Sequence, residues 1–282
     1  MQPKLLIKIG DDDEFDIAER VPGLTYLGDD ANLATTNQLS QFGSLDGSIY
    51  QYKTFNSYQV PAKFLLQFDD WYDYKLAKHE INQIFGTRKI MRIRTDAEMA
   101  IVRFVLPTFP EIAPALENAH WATFTENFDN PSGYRYSIAR SDSYTTLATD
   151  ELQLGMNFYK YLVNEENMPS YTFTTTSFRV LNPSDIPIEP YTQKHDLRIL
   201  IKFKGDSLTI SNKTTGDIYT YKKPSDGSEQ IIIDGITTTL NGKPASGNTD
   251  YGDLSLTTGW NEFTTSGASS LNITFSFPFI YL

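Results

Sequence analysis

The sequence predicts a mainly β protein of two domains: an N-terminal β-sandwich or split barrel carrying one α-helix at about residues 70–86, and a C-terminal antiparallel β-sandwich. Three observations predict it. Short aromatic and β-branched runs, broken by glycine and proline, fill most of the 282 residues. One segment steps its apolar positions by three and four, as an amphipathic helix does. A stretch with prolines at 183, 187 and 190 interrupts the chain, and at about 100 to 200 residues per domain it divides the protein into 1–186 and 187–282.

The elements follow in order. Residues 1–10 alternate Leu5, Ile7 and Ile9 with Lys4 and Lys8, which predicts a strand rather than a signal peptide, since a signal needs an uninterrupted apolar core. The acidic run from Asp11 to Asp16 then reads as a solvated hairpin. A helix is expected to start at Asp69 or Asp70, whose carboxylate caps the free amides of the first turn, and to run through Trp71, Tyr74, Ala77, Ile81, Ile84 and Phe85. Gly86 is expected to end it in the left-handed conformation. In the strand predicted at 89–94, Arg88, Lys89, Arg92 and Arg94 alternate with Ile90, Met91 and Ile93 and read as a solvated face.

Residues 107–114 are proline-rich and predict a loop, and Asn130-Pro131-Ser132-Gly133 is a turn with a strand on either side. Residues 151–163 fit two patterns: Leu152, Leu154, Met156 and Phe158 alternate like a strand, whereas Leu152, Met156, Tyr159 and Val163 step like a helix. Residues 171–181 are β-branched and aromatic and predict a strand. The three prolines that follow each lack a backbone donor, so 182–190 is expected to be the interdomain linker. Beyond it strands are predicted at 197–203, 207–211, 217–222, 230–234, 236–240, 253–257, 261–265 and 271–280, punctuated by glycines in the rhythm of an antiparallel sandwich.

Charge and composition exclude several classes of function. Lys and Arg total 24 against 35 Asp and Glu, a formal charge of −11, which disfavours sequence recognition of nucleic acid. The absence of cysteine removes disulfides, thiolate metal sites and cysteine nucleophiles. No apolar run reaches the roughly 18 residues of a membrane span, so membrane insertion is not expected and assembly in a cytosol is. In that compartment the glycosylation triplets at Asn212 and Asn272 are chance matches.

Catalytic motifs fail on inspection. His79-Glu80-Ile81-Asn82-Gln83 begins like the helical zinc-protease pair, but Gln83 stands where the second imidazole must lie. The acidic run is no calcium loop, because Phe15 replaces an oxygen ligand and Asp16 replaces the turn glycine. Ser44 directly follows Gly43, which rules out a nucleophile elbow, and Gly242-Lys243 precedes Pro244 where a phosphate loop needs a hydroxyl. His79, His120 and His195 are scattered. No catalytic, metal or cofactor residue is therefore expected, and the protein is read as non-enzymatic.

Three blocks resemble one family. The first reads Gly43-Ser44-Leu45-Asp46-Gly47, a strand at 60–68, and a helix from Asp73 to Phe85 before a basic hairpin; the second is Phe128-Asp129-Asn130-Pro131-Ser132-Gly133 together with residues 171–182. The third runs from Leu208 to Gly216 and through Ile233-Asp234-Gly235, Asn241-Gly242, 256–263 and 266–270. Together they are similar to the distal tail proteins of siphophages that infect Gram-positive bacteria, with a galectin-like second domain. The resemblance implies a homo-hexameric ring made by the N-terminal domain at the virion tail tip, assembled in the bacterial host cytoplasm. Its implied partners are the major tail tube protein, a tail-associated lysin or tail fibre protein, and a receptor-binding protein or host cell-wall glycan.

Two sets of residues are candidates for contacts. Tyr50, Tyr52, Phe55 and Tyr58 form an aromatic run richer than one sheet face buries, and the surplus is expected at ring interfaces. Trp260 is a candidate for stacking on a sugar or a partner, although packing on the sandwich edge is the more ordinary role of a turn tryptophan. The sugar-binding strand of true galectins, His-x-Asn-x-Arg, is absent: His195 is followed by Asp196, Leu197 and Arg198. The alternative function is a carbohydrate-binding adhesion module for host cell-wall polysaccharide.

Overall fold

The structure, a computed structural model, describes residues 2–44, 46–144, 155–163 and 168–282. The chain forms two compact units, Met1–Arg135 with Leu282, and Tyr136–Tyr281.

In unit 1, β1 (Leu5–Ile9) turns through the acidic run into β2 (Phe15–Asp16), pairing Ile7 with Phe15. Asp16 then caps the short α1 (Ile17–Arg20) by accepting from the Ala18 amide. There follow β3 (Leu24–Asp29), β4 (Ala34–Ser40), β5 (Ile49–Asn56), β6 (Tyr58–Gln67), α2 (Trp71–Phe85), β7 (Met91–Thr95), β8 (Ile101–Val105) and β9 (Trp121–Asn130). One sheet runs β2-β1-β7-β8, a second runs β3-β6-β9, and β4 with β5 makes a separate two-stranded ribbon. Strict alternation along β6 sends Tyr58, Val60, Ala62, Phe64 and Leu66 inward. There Phe64 lies 5.2 Å from Phe124 and 6.4 Å from Phe85, ring centroid to centroid. Burying a side chain such as Phe64 stabilises the unit by roughly 1.5–3 kcal/mol.

The helix is where its periodicity places it, with Tyr74, Ala77, Ile81, Ile84 and Phe85 in the core. Asp70 Oδ1 caps it, accepting from Tyr72 N at 2.7 Å and Asp73 N at 2.9 Å. Trp71 continues the apolar stripe but is exposed: it lies in the first turn, and its ring packs along the helix, 5.0 Å from Tyr74. Gly86 is not left-handed: its φ is −74°. Glycine is required there by close approach instead, since a Cβ would sit 2.7 Å from the Asn82 carbonyl that receives the Gly86 amide. The basic face of β7 is not solvated either. Arg92 and Arg94 both close on Glu14 from the hairpin, and the three side chains are mostly buried. Burial pushes the Glu14 carboxyl up, but Arg94 and Arg92 outweigh it and hold the pKa below the usual value.

Unit 2 holds β10 (Arg135–Arg140, its first residue still in unit 1), α3 (Phe158–Leu162), β11 (Thr172–Phe173), β12 (Ser177–Asn182), β13 (Arg198–Asn212), β14 (Ile218–Tyr221) and β15 (Ser225–Asp226). It continues with β16 (Ile231–Asp234), β17 (Thr237–Leu240), β18 (Lys243–Pro244), β19 (Gly259–Ser276) and β20 (Pro278–Tyr281). A sheet ordered β11-β19-β13-β16-β17-β18 also takes β12 on β19, and β14 and β15 on β13, while β10 lies beside β20. Of the ambiguous segment, 151–154 lie outside the described residues and the remainder contains α3.

The expected division at 186/187 falls inside this unit. β12 pairs with β19 from Ser177↔Thr264 to Asn182↔Gly259, and the proline segment itself is bonded in. Ser184 Oγ accepts from Ile280 N at 2.9 Å, and Ile188 and Leu256 exchange both backbone hydrogen bonds. That single bridge is all that forms of the strand expected at 253–257. The strands expected at 197–203 and 207–211 are one, β13, and those at 261–265 and 271–280 become β19 and β20. Glycines that look like turns are instead where two long strands bend together. A Cβ on Gly205 would lie 2.3 Å from the Gly267 carbonyl, and one on Gly267 would lie 2.5 Å from the Ser207 carbonyl.

Candidate assembly surface

A strand in a sandwich buries alternate residues, but among the described residues no second sheet covers the β4–β5 ribbon. Leu39, Ile49, Tyr50 and Tyr52 are 53%, 53%, 59% and 55% exposed, and Phe42 in the connecting turn is exposed as well. Leu39 pairs with Tyr50 and Gln38 with Tyr52, across a bulge. The ribbon is rooted at its base. Phe55 packs against Tyr134 with ring centroids 5.7 Å apart, and Asn56 Nδ2 donates to Thr36 Oγ1 at 2.6 Å. A two-stranded ribbon is at best marginally stable in water, and this one, held at its base, displays an exposed apolar group at its outer end. Of the four aromatics expected at an interface, Tyr50 and Tyr52 are displayed, Phe55 is half-buried at the root, and Tyr58 lies in the core.

A second exposed set surrounds α2. The helix buries one stripe and leaves Trp71, Tyr72 and Leu76 outside it, and Trp71 lines a cleft with exposed Leu116 on the loop before β9. The proline-rich loop expected at 107–114 is held at two points. Tyr74 Oη and Lys78 Nζ both donate to the Ile112 carbonyl, at 2.7 and 2.8 Å. At the other end Glu126 Oε1, on β9, accepts from the Thr108 amide at 2.5 Å and the Thr108 hydroxyl at 3.2 Å. Between these two clamps Phe109 stands out into solvent. Glu126 is fully buried and its Oε2 has no hydrogen-bond partner among the described residues. Burial pushes its pKa up to about 7, the Thr108 donors pull it down, and the charge of Asp129 adds to the rise.

In unit 2, the Trp260 ring carries the Arg179 guanidinium 4.4 Å over its centroid, β12 and β19 being paired at Leu181↔Trp260. One ring face is thus already stacked. His195 is buried, its Nδ1 within 3.1 Å of the Glu189 amide and of the Pro187 carbonyl, and burial lowers its pKa. His79 lies 3.1 Å from Gln83, the residue in the place of a second ligand. Among the described residues no group of His, Cys, Asp and Glu could hold a metal ion, and no helix is long and apolar enough to cross a membrane.

Sequence reasoning named Tyr50 and Tyr52 but missed Leu39, Phe42, Ile49, Tyr72, Leu76 and Leu116. For α2 a signal was present: Tyr72 and Leu76 fall outside the stripe at 74, 77, 81, 84 and 85. For the ribbon there was none, because β4 and β5 read like any half-buried strand until the missing second sheet is seen.

Residues 14–128 match the family model of the phage tail protein RIFT-related domain. No curated protein matches the chain. The fold as a whole is that of the Dit protein of phage SPP1, whose crystal structure is described as a paradigm of the hub adsorption apparatus in phages infecting Gram-positive bacteria. That likeness has a TM-score of 0.67 at 10% identity and covers 98% of this chain and 99% of that one. The baseplate of phage P2 in its activated, calcium-bound conformation contains a chain matched at TM-score 0.46 and 12% identity, over 98% of each chain. The chain is therefore similar to a phage tail domain over residues 14–128 and has a fold like that of the SPP1 Dit protein.

Proposed function

We propose that this chain, with its phage tail domain and Dit fold, is the distal tail protein of a siphophage or prophage: a non-enzymatic hub at the virion tail tip. In this reading six copies form a ring through unit 1. The ring joins the major tail tube protein to a tail-associated lysin or tail fibre protein, and the galectin-like unit 2 faces receptor-binding components. The observation that carries the reading is the likeness to one hub protein across both units at nearly full coverage of each chain. The β4–β5 ribbon supports it, because apolar residues held away from their own core serve a contact with another molecule. The alternative, a glycan-binding module, gains nothing from Trp260, whose ring is stacked by Arg179.

The test is assembly. Light scattering and negative-stain images of the purified chain at increasing concentration should show a closed sixfold ring, and Tyr50→Ala with Tyr52→Ala should raise the concentration needed to form it without lowering the thermal midpoint of the monomer. A tip of threefold or fivefold symmetry in this protein, or rings unaffected by removing both tyrosines and the ribbon tip, would overturn the assignment of the ribbon to the ring.

A further inference from the structure

A carboxyl group sits where β9 would ordinarily present an apolar side chain. The inward row of that strand reads Ala122, Phe124, Glu126, Phe128 and Asn130, and Glu126 is fully buried in it. Ala62 lies opposite on β6, and Lys63, the one cation of that strand, is turned outward to Asp30. The loop before β9 brings Thr108 to the carboxyl and leaves its own Glu111 exposed, while Lys78 of α2 is taken by the Ile112 carbonyl. Among the described residues no cation pairs with Glu126, and Asp129 on its own strand opposes its ionisation.

What this carboxyl holds is a loop with little else to hold it. Prolines at 107, 110 and 114 lack backbone donors. The chain leaves the sheet at Leu106, which exchanges both backbone hydrogen bonds with Asp129, and returns at Ala115, whose amide donates to the Trp121 carbonyl. Between those points, among the described residues, the loop is hydrogen-bonded at Thr108 and Ile112 alone. The acceptor for the Ile112 clamp is a backbone carbonyl, which never ionises; for the Thr108 clamp it is a carboxyl, which does. Both Thr108 donors reach Oε1, so Oε2 is the oxygen that carries the proton. Once that proton is lost a negative charge stands in the core with one oxygen undonated, and opening the loop hydrates it. Phe109 lies between the clamps, 69% exposed, with its ring 3.7 Å from where a Gly86 Cβ would be. We propose that Glu126 is a proton-operated latch: with its proton it keeps the 107–112 segment closed and Phe109 against the C-terminal end of α2, and without it the segment opens and Phe109 is released.

Amide hydrogen exchange on the full chain tests it. The closed form ionises near pH 7 and the hydrated carboxyl near 4.5, so opening is favoured progressively as pH rises through that interval, by on the order of 100-fold in all. In the wild type the protection of the Thr108 amide, corrected for base-catalysed exchange, is therefore expected to fall by about that factor between pH 5 and 8, while the amides of β1 and β7 stay protected. Glu126→Gln keeps an oxygen for Thr108 and cannot ionise, so its protection should stay level over the same range. Asp129→Asn leaves Glu126 in place and removes the charge that opposes its ionisation, and should make the fall smaller. Thr108 protection that is level with pH in the wild type, or that falls as steeply in Glu126→Gln, would overturn the latch. So would a fall shared by β1 and β7, since unit 1 would then be unfolding as a whole.

Discussion

Replacing Glu126 by Gln is expected to stabilise unit 1 at neutral and alkaline pH and to abolish a pH dependence that the wild-type protein carries. The carboxyl is fully buried, its Oε1 takes both Thr108 donors, and its Oε2 has no hydrogen-bond partner among the described residues. In the fold it ionises near pH 7, against 4.5 for the ordinary group. Between those values the folded chain keeps a proton that the unfolded chain has lost, so stability falls as pH rises from 4.5 to 7 and levels off above. At about 1.4 kcal/mol per tenfold change in the protonation equilibrium, the buried charge costs about 3 kcal/mol at pH 8 and under 1 kcal/mol at pH 5. Glutamine keeps an oxygen for the Thr108 amide and never ionises. The assay is urea unfolding of dilute protein at pH 5, 6, 7 and 8, followed by the fluorescence of Trp71 and Trp121 in a Trp260→Phe background. The variant should gain over wild type progressively from pH 5 to 8. Parallel stability curves for the two proteins, or a variant that is less stable at pH 8, would refute the reasoning.

Asp70→Ala removes the acceptor of two first-turn amides and should cost about 1 kcal/mol, with Asp70→Asn retaining most of it; a thermal midpoint unchanged in Asp70→Ala would contradict the cap. Gly267→Ala meets both a φ of +89° and a carbonyl at 2.5 Å, so it should destabilise unit 2 by more than about 1 kcal/mol, measured by chemical unfolding of that unit. A fragment of residues 136–282 should unfold cooperatively, whereas 187–282, which lacks β10, β11 and β12, should not; a sharp calorimetric transition in the shorter piece would restore the boundary at the prolines.

Local chemistry was legible in the sequence. The α2 limits follow from a capping aspartate and a 3.6-residue stripe, and each of these acts within one turn of the chain. The turn at Asn130–Gly133 and the β rhythm of the second half are equally local. A resemblance spread over the whole chain was legible for the same reason, since order and spacing are properties of the sequence itself.

What only the tertiary structure decided is which surface each residue meets. Tyr50, Tyr52 and Tyr58 are the same side chain in one alternating run, but β6 lies in a three-stranded sheet over the core while the β4–β5 ribbon is uncovered among the described residues, so one tyrosine is buried and two are displayed. Glu14, in an acidic run, and Arg92 and Arg94, in a basic one, looked solvated until β1 and β7 paired and closed them on one another. The prolines at 183, 187 and 190 punctuate the chain without dividing it, because β12 finds its partner in β19, far along the sequence. By itself the sequence determined the start of α2 and its buried stripe, and the turn at Asn130–Gly133, through interactions spanning a few residues. Pairing and burial depend on contacts between distant segments, whose register and missing neighbours exist only once the chain is folded.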